Sequence, residues 1–302
     1  MDGVTDAAMR YMSAKYSRPD LMITEFVSVD ALHYASGERR ERLLKTFVKA
    51  RDVGDLANKP RELAQIFGTK PELFKEAAEL IERLGFDGVD INMGCPAHKV
   101  EEQGSGAGLI RTPKLAQEII KATKSATSLP VSVKTRIGVD HVVVEEWMES
   151  LMEVAPVHIS LHGRTLRQLY QGRADWEAIG RAAEVVHKYG GKIYGNGDIM
   201  SIQEGREKVE KYGVDGFLIG RAAEGNPGIF EGSEEPSKEQ RLDWLVEHAR
   251  VYEQIFGTTN FNPMRKHLAW YCKGFEGAVE TRSRLMLTNS AKEVAEIVER
   301  VV

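Results

Sequence analysis

Cysteine is scarce in this sequence, since only Cys95 and Cys272 occur among 302 residues. Two thiols so far apart exclude the dense disulfide framework of small secreted proteins and favour a protein of the reducing cytoplasm. The histidine, cysteine and acidic residues show none of the spacings that are typical of metal ligands. We therefore expect a cytoplasmic protein without a metal site.

Long apolar runs are missing as well. No stretch reaches the ~18 residues that a membrane-spanning helix requires, and the first residues do not have the pattern of a signal peptide. The net charge of −4 at pH 7 excludes a general attraction to nucleic acid. We expect no contact with membranes, and an RNA partner would have to meet a local basic face.

The sequence does contain a regular alternation of short apolar runs and amphipathic segments. Seven runs predict strands at a spacing of ~25 to 35 residues, with helical patterns between them. This alternation is typical of successive βαβ units and a parallel sheet, and a closed (β/α)8 TIM barrel has one strand more. The predicted strands are 21–26, 63–67, 88–93, 131–136, 157–162, 192–196 and 216–220.

The two ends of the chain depart from this repeat. Residues 1–6 have the character of a loop, which would follow a first strand preceding Met1, so we expect an α/β (β/α)8 TIM barrel with a truncated first strand. Residues 231–237 are acidic, include Pro236 and predict a linker. The pattern beyond them is helical throughout. We therefore predict a barrel domain over 1–232 and a small C-terminal helical domain over 237–302.

The stretch around Cys95 organises the predicted site. The run 88–93 predicts a buried strand, in which alternation places Asp90 and Asn92 on one face. Gly94 ends the strand, and Cys95 follows at the position where α/β enzymes place their catalytic groups. The alternative is that Cys95 is a small buried hydrophobic residue, as most free cysteines are.

Alternation also places polar residues on the inner face of other strands, near their carboxyl ends. A barrel interior is normally filled by branched apolar side chains, and lysine is rarely buried without a partner. One interpretation is an internal ion pair, such as Lys134 with Asp90, and the other is a bound polar ligand. The inward-facing polar residues are Gln65, Asn92, Lys134 and His162.

Glycine-containing loops follow the last two predicted strands. They are Gly195-Asn-Gly-Asp-Ile199 and Gly220-Arg221. Loops at these two positions bind phosphate in many TIM barrels, because glycine lets backbone N–H groups approach the phosphate oxygens. An arginine adds a bidentate positive charge. A phosphate site beside a polar cavity predicts a nucleotide-like cofactor, and FMN fits both parts.

Seven segments together form a recognisable set: Gln65-Ile-Phe-Gly68, Asp90-Ile-Asn-Met-Gly-Cys-Pro96, Val133-Lys-Thr-Arg-Ile-Gly138, His162-Gly-Arg-Thr165, Gly195-Asn-Gly-Asp-Ile199, Ile219-Gly-Arg-Ala222 and Arg265-Lys-His-Leu-Ala-Trp-Tyr271. In content and order they resemble the tRNA-dihydrouridine synthases, most closely the bacterial B-type branch. That family usually has a strand and Ala-Pro before the segment that begins at Met1. The resemblance implies an FMN-binding (β/α)8 barrel followed by a helical domain.

The resemblance also implies roles for individual residues. Cys95 would be the proton donor. Substrate contacts would come from Asn92, Arg136 and Arg167, and Asn92 would position the base. The flavin ring would be contacted by Gln65 and Lys134. The flavin or its phosphate would be held by His162, Asn196, Gly197, Asp198, Gly220 and Arg221.

The reaction that the resemblance implies is the reduction of specific uridines in tRNA to 5,6-dihydrouridine. NADPH or NADH would reduce FMN, a hydride would pass to C6 of the uracil, and Cys95 would protonate C5. A thiol with the ordinary pKa of ~8.5 keeps its proton at neutral pH and is able to donate it. Lys134 would stabilise the negative charge of the reduced flavin. The target base would have to leave its stack in the folded tRNA.

Basic and aromatic residues supply candidate contacts to tRNA, and we expect the protein to be a monomer. Exposed basic residues usually only solvate a helix face, however, and Trp270 and Tyr271 are equally typical of a helical core. The candidates for phosphate contacts are Lys99, Arg164, Arg167, Arg265, Lys266, Lys273, Arg282 and Arg284. The candidates for stacking on bases are Tyr170, Trp270 and Tyr271.

Two other functions are compatible with the sequence. An FMN-dependent enzyme that acts on a free pyrimidine, such as a dihydroorotate dehydrogenase, would share the barrel, the flavin and a cysteine near this strand end. Reduction of tRNA but not of free uracil or orotate would separate the two. A barrel that only binds RNA, without flavin, would show no flavin absorbance after purification.

Overall fold

A computed structural model of the chain describes residues 1–232 and 235–301. Of the predicted linker over 231–237, residues 233 and 234 lie outside the described ranges. Within those ranges the chain forms one sheet of seven strands, whose spatial order follows the order of the sequence. The strands are β1 (Leu21–Ser28), β2 (Arg61–Phe67), β3 (Gly88–Met93), β4 (Val131–Arg136), β5 (Ile159–His162), β6 (Ile193–Asn196) and β7 (Gly216–Leu218).

All seven predicted strands are present, and the predicted fold class is confirmed. Each neighbouring pair from β2 to β7 is parallel. Sequential order in a parallel sheet with helical crossovers is the topology of a (β/α)8 barrel. Strand β3 is buried at all six positions, as expected of a strand with both faces covered.

The helices alternate with the strands and continue to the end of the chain. Helices α4 and α6 begin at a proline, which is favoured in the first turn because its missing N–H would be unpaired there. The helices are α1 (Ala7–Tyr16), α2 (Val29–Tyr34), α3 (Gly37–Lys45), α4 (Pro71–Arg83), α5 (His98–Glu102), α6 (Pro113–Ser125), α7 (Val144–Met152), α8 (Trp176–Lys188), α9 (Ile202–Tyr212), α10 (Lys238–Phe256), α11 (Asn262–Tyr271), α12 (Ala278–Leu285) and α13 (Ala291–Val298).

Two short helices have no counterpart in the sequence prediction. Helix α2 has six residues and begins where the side chain of Ser28 accepts a hydrogen bond from Ala31 N. Helix α5 has five residues and lies directly after the Cys95 segment. Such short helices contain less than two turns, so they show no hydrophobic periodicity that a sequence pattern would reveal.

Contacts between Cα atoms divide the chain into two compact units. One comprises Met1–Glu25, Leu44–Pro60 and Arg221–Val302, and the other comprises Phe26–Leu43 and Arg61–Gly220. The unit with the C-terminal helices thus includes three segments from within the predicted barrel domain, 1–25, 44–60 and 221–232. The boundary between 1–232 and 237–302 stays a prediction.

The first unit has its own core, built by residues from both ends of the chain. Helix α1 packs on α10, and Ala8 and Met12 of α1 are fully buried in the same cluster as Leu245 and Leu268. Burial of aliphatic side chains of this size contributes roughly 1.5–3 kcal/mol each. The core therefore gives the first residues a strong energetic link to the C-terminal helices.

Strand register in the second unit aligns the polar residues of the inner face. Neighbouring parallel strands place residues of one row side by side, and their side chains leave the same face of the sheet. The polar pairs in register are Gln65 with Asp90, Asp90 with Ser132, Asn92 with Lys134, Lys134 with Ser160, and His162 with Asn196.

Candidate active site

The Cys95 segment is held by the side chain of Asn92. Asn92 Oδ1 accepts hydrogen bonds from the backbone N–H of Cys95 at 2.8 Å and of Gly94 at 3.1 Å. This Asx turn ends β3 and directs the chain away from the sheet. Cys95 is buried, with 8% of its surface exposed, a burial that is compatible both with a catalytic thiol and with a small buried hydrophobic residue.

A second segment covers Cys95 from the outside. The short 3₁₀ helix Gly106–Arg111 begins within the glycine-rich stretch 103–108, and Ala107 N donates to the Cys95 carbonyl at 3.2 Å. Gly106 has a φ of +58°, and a Cβ there would lie 2.8 Å from the Cys95 carbonyl oxygen. Glycine at this position thus permits both the turn and the close approach.

Behind Asn92 lies a row of buried polar side chains. Asn92 Nδ2 donates to Gln65 Oε1 at 2.9 Å, and Gln65 Nε2 donates to Asp90 Oδ2 at 2.6 Å. Ser132 Oγ donates to Asp90 Oδ1 at 2.5 Å. Burial raises the pKa of Asp90, while these two hydrogen bonds act in the opposite direction. The row connects the base of the site to the backbone of Cys95.

Lys134 lies beside this row, in register with Asn92. Its Nζ donates to Asn196 Oδ1 at 3.1 Å, and Asn196 Nδ2 donates to the Leu218 carbonyl at 2.9 Å. Burial, together with the nearby charge of Arg136, lowers the pKa of Lys134 to about 8. Among the described residues no carboxylate forms an ion pair with Lys134, so the predicted Lys134–Asp90 pair is wrong.

Arg136 connects two loops of the site. Its Nε donates to the Gly94 carbonyl at 2.7 Å, and its Nη1 donates to the Thr165 carbonyl at 3.1 Å. The side chain is 5% exposed, and burial lowers its pKa to about 10. The guanidinium therefore fixes the loop before Cys95 against the loop that follows β5.

The loop after β6 has an unusual backbone conformation. Gly197 and Asp198 both have positive φ, +130° and +56°. A Cβ on Gly197 would lie 2.6 Å from Ala174 Cβ, so no larger residue fits there without a shift. Trp176 Nε1 donates to the Gly197 carbonyl at 3.0 Å and holds the loop from the side of α8.

Asp198 is fixed by a buried arginine. Arg164 Nη2 donates to both carboxylate oxygens of Asp198, and Ala174 N donates to its Oδ2 at 2.8 Å. His162 Nε2 lies 3.4 Å from Arg164 Nη1. Only 2% of Arg164 is exposed, so the prediction of an RNA contact at this residue is wrong.

The remaining predicted site residues are distributed over both units. Gly220 is half-buried at the end of the second unit, and Arg221 is exposed and belongs to the first. Arg167 is exposed, with its Nε 3.0 Å from Asp140 Oδ1 and its Nη2 3.7 Å from Glu101 Oε1. The second unit thus brings Gln65, Asn92, Cys95, Lys134, Arg136, His162, Asn196, Gly197 and Asp198 to the carboxyl ends of neighbouring strands.

The tail residues that were predicted to contact tRNA differ in their exposure. Tyr271 is 1% exposed, and its hydroxyl lies 3.1 Å from His248 Nδ1, so it belongs to the core as the alternative interpretation had it. Burial raises the pKa of Cys272 to about 11, which makes this thiol unreactive. Lys273 and Arg282 are exposed, and Arg265, Lys266 and Trp270 are half-buried.

Two features of the candidate site do not follow from the sequence pattern. Asp90 is predicted only as an ion-pair partner, whereas it accepts from Gln65 and Ser132. Gly106 lies in the glycine-rich stretch 103–108, and the pattern does not indicate its close approach to Cys95. The polar inner face of β3 would have pointed to Asp90, but its partners depend on the register between strands.

A family model for dihydrouridine synthase (Dus) matches residues 1–302. The chain belongs to the dihydrouridine synthase family. The predicted resemblance is therefore confirmed. Described helices include none that is both long and apolar enough to span a membrane, and no cluster of potential metal ligands occurs among the described residues.

Curated relatives support the same family. The probable tRNA-dihydrouridine synthase 1 of Synechocystis sp. (strain PCC 6803) is 31% identical and covers 100% of this chain and 84% of that protein. The probable enzyme of Staphylococcus aureus (strain COL) is 34% identical, over 99% of this chain and 90% of that protein. The probable tRNA-dihydrouridine synthase 2 of Bacillus subtilis (strain 168) is also 34% identical, over 99% and 91%.

Solved structures with the same fold are more distant in sequence. Morphinone reductase in complex with tetrahydroNAD has a TM-score of 0.52 at 13% identity, over 80% of this chain and 87% of that one. A mutant of that enzyme has a TM-score of 0.54, over 78% and 84%. At this level of identity the likeness establishes the TIM-barrel fold and nothing further.

Proposed function

We propose that this member of the dihydrouridine synthase family reduces uridines in tRNA to 5,6-dihydrouridine with FMN as cofactor and NADPH or NADH as reductant. The observation that carries the proposal is the row of buried amides that fixes the Cys95 backbone beside Lys134. Cys95, the proposed acid, follows the strand in which Asn92 pairs in register with the cationic Lys134, which supports a catalytic site at these strand ends. The substrate class follows from the curated relatives, which are named as probable tRNA-dihydrouridine synthases.

The polar groups of the interior fit a flavin. Lys134 Nζ carries three N–H donors and uses one on a neutral amide. Ser160 Oγ, in register with Lys134, is buried and has no hydrogen-bond partner. A partly buried cation without an anion and a buried hydroxyl without a partner are costly alone. A ring with carbonyl and nitrogen acceptors, which carries negative charge when reduced, satisfies both.

The proposed cofactor contacts follow from this arrangement. Gln65, Lys134 and Asn196 would face the flavin ring, and His162 lies at the rim beside Arg164. The Gly197–Asp198 loop would present backbone N–H groups to the phosphate, a role that suits its positive φ values. Gly220 and Arg221 stay candidates for the same phosphate on the basis of their sequence position. The nicotinamide donor is proposed because morphinone reductase, which shares the fold, is described in complex with tetrahydroNAD.

The protein groups have separate tasks in the reaction. When bound, FMN would supply the hydride that is added to C6 of the uracil. Cys95, which Asn92 holds in position, would donate its proton to C5. The ammonium group of Lys134 would stabilise negative charge on the flavin ring. Arg136 would keep the two loops around the thiol in place, and Asn92 would also orient the base.

The tRNA is proposed to meet exposed basic residues in each unit. Arg167 and Lys99 are exposed near the loops of the candidate site, and Tyr170 is 65% exposed on the same loop as Arg167. The C-terminal segment 237–302 is proposed as a tRNA-binding domain, with the exposed Lys273 and Arg282 as contacts. A cytoplasmic monomer is the proposed working form.

The decisive experiment replaces the thiol. Cys95→Ala should retain the fold and lower dihydrouridine formation in tRNA by about 10²- to 10⁴-fold, the usual contribution of a general acid. Mass spectrometry of digested tRNA measures the product, and Cys272→Ala is the matched control. Full activity of Cys95→Ala would end the acid assignment. Reduction of free uracil or orotate in place of tRNA would favour the dihydroorotate dehydrogenase-like alternative.

A further inference from the structure

Asp90 begins the row of hydrogen bonds that ends at the Cys95 backbone. The row runs from Asp90 through Gln65 and Asn92 to the N–H groups of Gly94 and Cys95. Asp90, Gln65 and Asn92 are exposed by 0%, 4% and 7%. Bulk water therefore does not replace a lost partner in this row.

Each amide in the row has only one orientation that satisfies its neighbours. Backbone N–H groups only donate, so Asn92 has to face Cys95 with Oδ1 and Gln65 with Nδ2. Gln65 then has to accept with Oε1, which leaves its Nε2 facing Asp90. A carboxylate accepts at both oxygens, so Asp90 also receives the Ser132 hydroxyl. The backbone N–H groups at one end of the row and the carboxylate of Asp90 at the other end therefore require the same direction of the hydrogen bonds.

We propose that Asp90 is a positioning residue for the reaction, which orients the amides of Gln65 and Asn92 and thereby holds the Gly94–Cys95 segment and its thiol in place. The inference rests on the proposed function only for the use of that thiol as an acid. It assigns to Asp90 an acceptor role toward Gln65, and negative charge is not what the role requires.

The first test removes the acceptor. Asp90→Leu preserves size and offers no acceptor, whereas Asp90→Asn still accepts from Gln65 with Oδ1 and donates its new N–H to the Ser132 hydroxyl. We expect Cys95 to react with iodoacetamide about 5- to 50-fold faster in Asp90→Leu, because a buried hydrogen bond that holds the loop is lost. We expect the rate in Asp90→Asn to stay within about twofold of wild type.

The second test reverses the donor–acceptor direction of the hydrogen bonds in the row. In Asn92→Asp, the carboxylate faces Gln65 and turns its amide, so that Gln65 Oε1 meets the carboxylate of Asp90 and the row breaks. Adding Asp90→Asn supplies an N–H to that oxygen and satisfies every group in the reversed direction. Adding Asp90→Leu removes the same charge without supplying the N–H. We expect slow alkylation to return in the first double variant and not in the second.

The measurement uses the full chain as purified. Alkylation is followed across a pH series, which separates access to the thiol from its ionisation, and peptide mass spectrometry distinguishes Cys95 from Cys272. Equal rates in wild type and Asp90→Leu, or equal rates in the two double variants, would overturn the inference. If Asp90→Leu does not fold, the comparison of Asn92→Asp alone with Asn92→Asp plus Asp90→Asn decides, and equal alkylation rates in these two would overturn the inference. Wild-type protein that forms no dihydrouridine would refute the proposed function, while the alkylation rates would still test the row.

Discussion

Arg164 binds both carboxylate oxygens of Asp198, at 2.9 and 2.7 Å, from a position where only 2% of its surface is exposed. The same Nη2 atom donates to the Gly172 carbonyl at 2.6 Å. Asp198 has a φ of +56°, a conformation that costs a non-glycine residue about 1 kcal/mol or more. The ion pair therefore holds the backbone of the proposed phosphate loop in a conformation it would not adopt alone.

Weakening this pair is expected to affect binding of the phosphate selectively. Asp198→Asn keeps the shape but loses one acceptor, so the loop relaxes, and we expect FMN to bind about tenfold more weakly. Riboflavin lacks the phosphate and should bind almost as before. Fluorescence titration of flavin-free protein with both compounds measures the ratio. Arg167→Met, which alters an exposed pair, is the control, and an equal loss for both flavins would contradict the prediction.

Gly106 and Gly104 form a matched pair for testing the cover over Cys95. Both have positive φ, but a Cβ on Gly106 would lie 2.8 Å from the Cys95 carbonyl oxygen, whereas on Gly104 it would meet nothing closer than 4.0 Å. Gly104→Ala should cost about 1 kcal/mol of stability from backbone strain alone. Gly106→Ala should cost about 2–4 kcal/mol and also reduce dihydrouridine formation. Thermal unfolding and the tRNA assay compare the two, and equal losses would argue against the contact.

Lys134 is expected to lower the stability of the flavin-free protein while it strengthens the binding of FMN. Burial lowers its pKa in the folded protein from the usual 10.5 to about 8, so folding is penalised while the group is charged. The penalty is complete below pH 8 and disappears as the pH rises to 10.5. Lys134→Met should therefore stabilise flavin-free protein at pH 7 by about 1–2 kcal/mol, after allowance for its partial exposure.

The same substitution should weaken FMN binding, since it removes the donor to the ring. Melting temperatures of the flavin-free protein at pH 7 and pH 10 measure the first effect, and the second is read from flavin titration. Lys99→Met, at an exposed lysine, serves as control. A Lys134→Met variant that is less stable than wild type at pH 7 would show that burial of the Lys134 charge does not destabilise the folded protein.

Acid should destabilise the unit that contains the C-terminal helices. Burial, and then the charge of His267, lower the pKa of His248 to about 3. Because His248 stays neutral in the folded state, only the unfolded state gains a proton there as the pH falls below 6.5. The free energy of unfolding therefore decreases by roughly 2 kcal/mol between pH 6.5 and pH 5, and it continues to decrease toward pH 3. Burial alone would raise the pKa of Asp6, but the hydrogen bond and charge of His267 lower it to about 2.

His248 and Asp6 therefore affect stability in separate pH ranges, since the contribution of Asp6 is lost only between about pH 4 and pH 2. Replacing His248 by Gln removes the loss of stability that this residue causes below pH 6.5. The melting temperature of the variant should therefore stay nearly constant from pH 7 to pH 5. Differential scanning calorimetry of both proteins makes the comparison. A wild-type melting temperature that does not fall over this range would refute the assignment.

Much of the fold was predictable because its signals are local. The seven strands are short runs of three to eight residues, and the inner faces of β3 and β4 follow from alternation alone. Helices α2 and α5 were missed because fewer than two turns produce no periodic pattern. The polar row could be predicted as a set of residues, but its order depends on the register that aligns Asp90 with Gln65 and Ser132.

Arg164 shows where sequence reasoning reaches its limit. Arginine is mostly exposed, so a position after a strand in a basic segment predicts a surface contact. Its actual burial depends on Asp198, which lies 34 residues away in the chain. Neither residue alone signals the pair, and only the neighbouring positions of β5 and β6 bring the two together.

The packing of α1 on α10 has a consequence for biosynthesis. Helix α1 leaves the ribosome long before α10, which ends at Phe256. At the usual translation rate of about 5–20 residues per second, α10 is completed roughly 10–50 seconds after α1. During that delay the nascent chain presents Ala8 and Met12 to its surroundings. The core of this unit therefore forms only once α10 has been synthesised, and until then the exposed apolar face of α1 is a site for aggregation.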